Sequence, residues 1–366
     1  MDPIETVKVY TIIHTHSYRI YVGKELFEEV GEVLDLKQYS QIVILTDTKV
    51  GPHYLEEAKH SLGKHNKKVS SYTIPSGEDH KNLETVSHIY SFFIKQKVDR
   101  KALVVNLGGG VLSDMGGFAA STFLRGIAYI NLPTTLEAMV DASVGGKNGV
   151  NFDGYKNYIG TFTQPEGVFA EIGTLKTLPE RIYTQGYAEC LKHGLIANAT
   201  YFEKVSSKRI TEFPEEQLIE VIAESVQTKA DIVHQDEKEE GVRKLLNFGH
   251  TVGHAIESVS HKTKDPLYHG EAVAVGMVAE AKISELMGHI SEKDMATIES
   301  AIARVGLPTR YTSKASLVSI MKLVRADKKS VSGKVKWTLL KGIGKGEFDV
   351  QVPAKTVEKG IEYVIT

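Results

Sequence analysis

Three histidines in the second half of the chain have the type and spacing that could bind a metal ion. His250 and His254 lie in NFGHTVGH, and His269 follows in HGEA. Residues at i and i+4 share one helical face, so the first two imidazoles can point into one cavity. Imidazole is the commonest protein ligand for zinc-like ions, and a carboxylate often completes such a site. Glu189, beside Lys192 in GYAECLKHG, is the best carboxylate candidate, and together these residues favour a metal site over ordinary helix-surface histidines.

A second candidate site is a run of glycines between an apolar segment and a helical one. Gly108, Gly109 and Gly110 follow KALVVNL and precede VLSDMGGFAA. Glycines at such a turn let backbone amides approach a pyrophosphate, and a helix N-terminus favours the anion. The pattern departs from a strict GxGxxG because Ser113 holds the third position, and a tight connection alone would look the same.

Other polar residues follow predicted strand ends, where ligands bind open α/β sheets. Asp47 could accept hydrogen bonds from a ribose, although a turn or helix-capping role fits its position equally well. Glu78 and Lys81 lie in the loop SGEDHK, where a solvated charge pair is the alternative. Thr134 and Thr135 offer hydroxyls at another strand end, with helix capping as the alternative.

Several basic residues lie in glycine-rich or histidine-rich segments. Lys147 is predicted in a loop, SVGGKNGVN, and Lys156 and Asn157 follow in YKNYIG. A single basic residue is usually a surface charge, and placement in these segments raises the odds of a function. Cations converging around a metal and a nucleotide would suit a small, multiply anionic substrate. The second half adds Lys192, Lys229, Arg243 and Lys328.

Composition limits the classes of function. The chain has 366 residues, 25% of them charged and 42% hydrophobic, which is typical of a globular protein with an ample core. The net charge of −2 gives no indication of nucleic acid or a membrane surface as partner. One cysteine, Cys190, excludes an internal disulfide framework and fits a reducing compartment. Without an apolar run of spanning length or a signal pattern, we expect a cytoplasmic protein.

The order of apolar segments predicts an α/β domain followed by a mostly helical one. Alternating strands and helices in the first half are typical of a parallel sheet with helices on its faces. The boundary is placed in TLKTLPERI, giving domains 1–176 and 177–366 with a cleft between them. Strands are predicted at 41–47, 69–75, 101–107 and 127–133, with helices at 52–64 and 81–95. In the second half, helices are predicted near 184–197, 215–235, 242–259, 269–288 and 293–305, and a hairpin is predicted for 334–340 with 347–353. The N-terminal segment is predicted to form an edge strand.

These segments, in this order, resemble the 3-dehydroquinate synthase family of the shikimate pathway. The resemblance runs from about residue 40 to 345, and its motifs are long and specific. Three departures from the family pattern are Ser113 for a usual glycine, Glu171 for a usual aspartate and Asn148 for a common threonine. The matching segments are GGGVLSD, FLRG, PTTLEAMVDASVGGKNGVN, YKNYIGTF, LKTLP, GYAECLKHG, RKLLNFGHTVGHAIE and YHGEAVAVGM.

The resemblance implies roles that the residues alone leave open. It implies a divalent metal, zinc or cobalt, held by Glu189, His250 and His269, with His254 at the substrate phosphate or behind the ligands. It also implies NAD and a homodimer in which Arg125 enters from the partner subunit. The implied NAD residues are Asp47, Glu78, Lys81, Gly109, Gly110, Asp114, Thr134, Thr135, Asp141, Lys147 and Lys156. The implied substrate residues are Arg125, Asp141, Lys147, Lys156, Asn157, Lys192, Lys229, Arg243, Asn247, His254 and Lys328.

The implied reaction converts 3-deoxy-D-arabino-heptulosonate 7-phosphate to 3-dehydroquinate and phosphate. The metal polarises substrate hydroxyls, and NAD oxidises C5 so that phosphate can be eliminated. Return of the hydride, ring opening and an intramolecular aldol step follow, so NAD is used catalytically. The alternatives are another sugar-phosphate cyclase, an NAD- and metal-dependent polyol or glycerol-phosphate dehydrogenase, and a non-catalytic homologue acting as a scaffold.

Overall fold

The computed structural model describes residues 4–6, 10–14, 18–64, 67–312, 317–325, 330–331 and 334–366. The chain forms two compact units, Met1–Leu178 and Pro179–Thr366. Lys328, which the sequence places in the substrate site, lies outside the described residues.

An eight-stranded sheet organises the first unit, in the order β1-β2-β3-β10-β7-β6-β4-β5. From β3 to β5 neighbouring strands are parallel, whereas β1, β2 and β3 pair antiparallel, so the sheet is mixed at one edge rather than wholly parallel. The predicted α/β class and the N-terminal edge strand are confirmed. The strands are β1 (Ile4–Thr6), β2 (Tyr10–His14), β3 (Arg19–Gly23), β4 (Ile42–Asp47), β5 (Val69–Ile74), β6 (Leu103–Gly108), β7 (Ala128–Pro133) and β10 (Gly167–Glu171).

Helices cover both faces of this sheet, which explains the continuous apolar runs in its strands. Ile44 and Val105 face a cluster with α1 and α2, whereas Val43 and Val104 face one with α3 and α4, because successive strand residues point to opposite faces. The helices are α1 (Leu26–Val33), α2 (Gly51–Leu62), α3 (Leu83–Lys95) and α4 (Gly110–Thr122).

A two-stranded hairpin replaces the glycine-rich loop predicted around Lys147. Lys147 begins β8 (Lys147–Phe152), which pairs antiparallel with β9 (Tyr155–Phe162). Asp153 and Gly154 turn the chain with φ angles of 50° and 77°, so both connecting residues adopt the left-handed region that tight hairpin turns need. A short π-helical segment, Ala138–Ala142, precedes the hairpin.

The second unit is mostly helical, as predicted. The segment 242–259 is not one helix, because a 3-10 turn at Val242–Asn247 is separated from α8 by Gly249, whose φ of 80° interrupts the helix. The helices are α5 (Glu180–Ala197), α6 (Ala199–Val205), α7 (Glu215–Gln235), α8 (His250–Ser260), α9 (His269–Leu286), α10 (Glu292–Arg304), α11 (Leu317–Arg325) and α12 (Ala354–Val364).

Two small antiparallel sheets complete this unit. The predicted late hairpin is present as β13 (Trp337–Gly342) and β14 (Lys345–Val350), and β11 (Ser330–Val331) pairs with β12 (Lys334–Val335). Among the described residues, none of the helices combines the length and the apolar character needed to cross a bilayer.

Candidate metal centre and nucleotide-binding edge

The three predicted histidines converge in the second unit. Ring centroids lie 5.2 Å apart for His250 and His254, 5.4 Å for His250 and His269, and 5.7 Å for His254 and His269. One ligand nitrogen from each lies within 4.8 Å of the others. The first pair shares a face at the start of α8, and His269 is the first residue of α9, so two adjacent helix starts bring the group together.

Hydrogen bonds fix which nitrogens face inward. Nδ1 of His250 donates to the carbonyl of Phe248 over 3.1 Å, which leaves Nε2 as a lone-pair ligand. Nδ1 of His269 lies 3.3 Å from Oε2 of Glu257, a buried carboxylate on α8. A carboxylate behind a histidine is the usual partner of a metal ligand. Sequence reasoning missed Glu257, although it lies seven residues after His250 and therefore on the same helical face.

Glu189 brings a carboxylate to the same place. It is 1% exposed, and its Oε1 lies 3.6 Å from Nε2 of His250. Its other oxygen forms an ion pair with Lys192, one turn further along α5. Glu189 and His250 are buried, whereas His254 is exposed, so the histidines differ in their access to a ligand from solvent.

Each of the two histidine-bearing helices is held by the other. Glu280 of α9 is fully buried, and its oxygens accept the backbone N–H groups of Gly249 at 2.7 Å and Val252 at 3.1 Å. These are orphan donors at the start of α8. A Cβ on Gly276 would lie 1.9 Å from the carbonyl oxygen of Gly249, so only glycine permits this helix contact.

Buried cations lie on neighbouring elements of this unit. Lys192 on α5, Lys229 on α7 and Arg243 in the 3-10 turn are 1%, 5% and 1% exposed. These three elements pack against one another. Buried basic side chains are uncommon, and several on adjoining elements suit an anionic ligand. Asn247 ends the same turn, and its Nδ2 donates to Glu239 over 2.6 Å.

In the first unit, the predicted nucleotide residues meet at the carboxyl edge of the sheet. Asp47, Gly108 and Thr134 stand at the ends of the adjacent strands β4, β6 and β7. Gly109 and Gly110 begin α4 without a side-chain cap, so the first amides of this helix are open to an anion.

The glycines of this turn pack closely against their neighbours. A Cβ on Gly109 would lie 3.2 Å from Cγ2 of Thr135, and one on Gly110 would lie 3.2 Å from Cβ of Ala142, the neighbour of Asp141. The amide of Thr134 donates to the carbonyl of Gly108 over 2.9 Å.

The hydroxyl of Thr134 and one oxygen of Asp47 are available for a ligand. Oγ1 of Thr134 is buried and has no hydrogen-bond partner in the described part of the chain. Oδ1 of Asp47 accepts the amides of Lys49 at 2.8 Å and Val50 at 3.0 Å, the turn role that its position also predicted. Its second oxygen accepts no hydrogen bond from the described residues.

A buried ion pair joins two further predicted residues. Lys81 is 4% exposed and pairs with Asp114 on α4, so it is not the solvated charge that the loop could have held. Burial opposes ionisation of Lys81, but the carboxylates of Asp114 and Glu78 more than offset it and raise the lysine pKa. Burial also raises the pKa of Asp114, and the charge of Lys81 partly offsets that effect.

The hairpin is tied to this pair through Asn151. Nδ2 of Asn151 donates to Glu78 over 2.8 Å, and its Oδ1 accepts the amide of Asn157 at 3.0 Å. The structure therefore joins Glu78 to the hairpin that carries Lys147, Lys156 and Asn157, all three of which are exposed.

Arg125 does not join this group within the first unit. It follows the far end of α4, whose 13 residues span about 20 Å from the glycine turn. Leu124, Arg125 and Gly126 have φ angles of 51°, 69° and 114°, and Arg125 is exposed.

Two of the three departures from the family pattern have structural partners. Asn148 donates to Tyr129, Gly146 and Thr163 over 3.0–3.2 Å, holding the base of the hairpin. The longer Glu171 accepts the amides of Leu26 and Gly173, each at 2.7 Å, and its burial raises its pKa. Ser113 only approaches the Gly109 carbonyl, at 3.5 Å.

The α/β unit with a glycine turn at its sheet edge and the helical unit with a histidine–carboxylate cluster form an architecture that the chain shares with the sugar-phosphate cyclases. The family model described as 3-dehydroquinate synthase N-terminal matches residues 71–185, and the C-terminal model matches 186–330. The chain belongs to the 3-dehydroquinate synthase family. The resemblance seen in the sequence is confirmed.

Relatives agree with this assignment. A curated 3-dehydroquinate synthase of Nitrosospira multiformis is 38% identical over 351 residues, covering 95% of each chain. A solved 2-deoxy-scyllo-inosose synthase, complexed with carbaglucose-6-phosphate, NAD+ and Co2+, has a TM-score of 0.88 at 26% identity and covers 97% of this chain and 100% of its own. A 2-epi-5-epi-valiolone synthase from Streptomyces hygroscopicus, with NAD+ and Zn2+ bound, has a TM-score of 0.85 at 26% identity, covering 98% and 99%.

Proposed function

We propose that this enzyme converts 3-deoxy-D-arabino-heptulosonate 7-phosphate to 3-dehydroquinate and phosphate, with NAD and a divalent metal as cofactors. The observation that carries the proposal is the cluster of three histidines with Glu189 in a chain of this family. Three buried cations lie in the same unit. NAD binding is assigned to residues 1–176, and metal and most substrate binding to 177–366.

The donor set of the second unit fits a zinc-like ion. Nε2 of His250 and of His269 and the carboxylate of Glu189 would hold it, since both Nδ1 atoms are already engaged. Two imidazoles and a carboxylate leave a coordination position for substrate oxygens. When bound, the ion polarises substrate hydroxyls as a Lewis acid. His254, which is exposed beside this group, is assigned to a hydrogen bond with the substrate phosphate.

The residues at the sheet edge fit NAD. The unpartnered hydroxyl of Thr134, the open amides at Gly109 and Gly110, and the second oxygen of Asp47 offer the donors and acceptors that a dinucleotide requires. When bound, NAD takes hydride from the substrate and returns it. The ion pair of Lys81 with Asp114 and the hydrogen bond of Glu78 to the hairpin stabilise the loops around this edge. The proposed NAD-binding set also includes Thr135, Asp141, Lys147 and Lys156.

The cations orient the substrate. Lys192, Lys229 and Arg243 are buried and so held in few rotamers, which favours fixed contacts to carboxylate, phosphate and hydroxyls. Lys192 also offsets the charge of Glu189. The departing phosphate can itself accept the proton lost beside the new ketone, so no protein base is required. Asn157, Asn247, Lys147 and Lys328 are further proposed substrate residues.

We further propose a homodimer in the cytoplasm. Arg125 lies at the end of α4 remote from its own glycine turn, as expected of a residue that acts in the partner's site. Four large aromatic residues of the hairpin, Phe152, Tyr155, Tyr158 and Phe162, are 48–58% exposed and suit a protein interface. NAD and phosphorylated sugar acids are metabolites of the cell interior, which supports the location.

The test is phosphate release by purified protein with zinc, NAD and the proposed substrate, while absorbance of NADH is followed. Phosphate without net NADH is expected. Accumulating NADH without phosphate would indicate a dehydrogenase, and silence with this substrate but turnover of sedoheptulose 7-phosphate or glucose 6-phosphate would indicate another cyclase. A chain inactive on all of them would overturn the enzyme assignment in favour of a scaffold.

A further inference from the structure

One face of α5 carries three polar residues that all reach towards the histidine-bearing helices. Arg181, Gln185 and Glu189 are spaced four residues apart, so they form a row along the helix. Glu189 belongs to the proposed metal site. The other two contact the chain on either side of His269.

Arg181 binds the segment that leads into α9. Its Nε and Nη2 donate to the two oxygens of Glu271 over 2.6 and 2.8 Å, a bidentate pair. Nη1 donates to Asp265 over 2.7 Å and Nη2 to the carbonyl of Pro266 over 3.0 Å. The guanidinium also stacks on Tyr268, 4.7 Å from the ring centroid. Every residue of this set lies within four positions of His269.

Gln185 makes the second attachment. Its Oε1 accepts the amide of Gly270 over 2.7 Å, next to His269. A Cβ on Gly270 would lie 1.9 Å from the Gln185 carbonyl oxygen, so the two backbones are in close contact there. Gln185 is buried, which protects this bond from water.

We propose that Arg181, with Gln185, is a positioning residue for the metal site. The two side chains fix the start of α9, and hence His269, relative to Glu189 further along the same face of α5. Neither side chain is assigned to the metal or the substrate. The inference rests on the proposed function, because it takes Glu189, His250 and His269 as the ligands.

The alternative is that Arg181 makes an ordinary surface ion pair, since its side chain is 41% exposed. Exposed pairs contribute little to stability. A positioning residue, in contrast, acts on the distance between the proposed ligands His269 and Glu189. Groups that orient metal ligands typically change metal affinity by about 10–100-fold. A measurement of metal affinity therefore distinguishes a positioning residue from an ordinary surface ion pair better than a measurement of stability does.

Arg310 provides a matched control in the same unit. It pairs with Glu299 and stacks on Tyr363, 4.3 Å from the ring centroid, with its side chain 29% exposed. Arg181→Lys and Arg310→Lys thus each remove a guanidinium that pairs with a carboxylate and stacks on a tyrosine. The zinc dissociation constant of each metal-free protein would be measured by competition with a chromophoric chelator. We expect about a tenfold weaker affinity for Arg181→Lys and no change for Arg310→Lys.

A second set of variants keeps the inference testable if Arg181→Lys does not fold. Gln185→Met removes the Gly270 acceptor at similar volume and should also weaken zinc binding. Glu271→Gln should weaken it too, and combining it with Arg181→Lys should cost less than the two effects added, because both break one contact. If every folded variant bound zinc with an affinity within twofold of that of the Arg310→Lys protein, the positioning role of Arg181 and Gln185 would be overturned. If the unaltered protein bound no zinc, the proposed metal site would fail with it.

Discussion

At the residue scale, the proposed metal ligands are defined as much by their partners as by their own chemistry. A carbonyl behind His250 and a carboxylate behind His269 each occupy Nδ1, so both rings present Nε2. Lys192 neutralises part of the charge on Glu189 in a buried setting. Removing one ligand should therefore abolish binding while the helices remain in place.

His250→Ala tests the ligand assignment. Two ligands hold a divalent ion far more weakly than three, so zinc content should fall from one to below about 0.1 per chain. Phosphate release should fall with it, while circular dichroism stays unchanged. The exposed His60 in the first unit gives a matched control, and His60→Ala should keep its zinc. Full zinc content and turnover in His250→Ala would remove this histidine from the site.

Thr134→Val tests the nucleotide edge at nearly constant volume. Its hydroxyl has no partner among the described residues, so losing one hydrogen bond to NAD should weaken binding by about 3–10-fold. The unfolding temperature should stay the same or rise, because an unsatisfied buried oxygen is removed. Calorimetric titration with NAD gives the affinity, and Thr85→Val, another buried threonine of this unit, is the control. Unchanged NAD affinity would place the hydroxyl away from the cofactor.

At the element scale, most of the fold could be predicted from hydrophobic pattern, and its exceptions have local causes. The helix at 215–235 and the strands β4 to β7 follow from period and apolar runs. The break between residues 247 and 250 depends on the φ of Gly249, which the NFGHTVGH pattern does not reveal. The β8–β9 hairpin was missed because its glycine content favoured a loop.

The candidate site could likewise be predicted from the sequence only in part. Histidine spacing predicted a metal site, and the choice of ligands came from family resemblance. Glu257 shares a helical face with His250, but its contact with His269 depends on the tertiary pairing of α8 with α9, as does the contact of Glu280 with α8, and local sequence does not show that pairing.

Gly276→Ala tests that pairing. The added methyl would meet the Gly249 carbonyl oxygen, so the helices must separate. We expect a loss of about 1–3 kcal/mol in unfolding free energy and weaker zinc binding. Chemical denaturation and zinc competition measure the two effects. Ser300→Ala, at an exposed position of α10, should change neither. A variant as stable as the parent would show that the helix contact can relax.

At the scale of the whole molecule, the two units divide the work by chemistry. The first offers backbone amides and hydroxyls at a sheet edge, and the second offers nitrogen ligands and buried cations. Arg125 belongs to neither set, and it lies on the unit that also exposes an aromatic hairpin. Its contribution from a partner subunit is testable without a structure of the dimer.

Mixing two inactive variants should restore activity. In a mixed dimer of Arg125→Ala and His250→Ala, one site receives an intact Arg125 from the partner and keeps all its ligands. Random exchange should therefore give about a quarter of the parent rate. Light scattering with size-exclusion chromatography checks the dimer, and each variant mixed with itself is the control. No recovery in a proven mixed dimer would mean that Arg125 acts within its own chain.

The reciprocal hold between α8 and α9 has a consequence for how the enzyme acquires its ion. Glu280 satisfies the start of α8 and Glu257 orients the histidine of α9, and neither contact involves the ion. The coordination cage is therefore assembled by the polypeptide before loading. Chelation should empty it without unfolding, and reloading should be rapid and repeatable. The ion found in the cell would then follow metal supply and the general affinity order of such ligands.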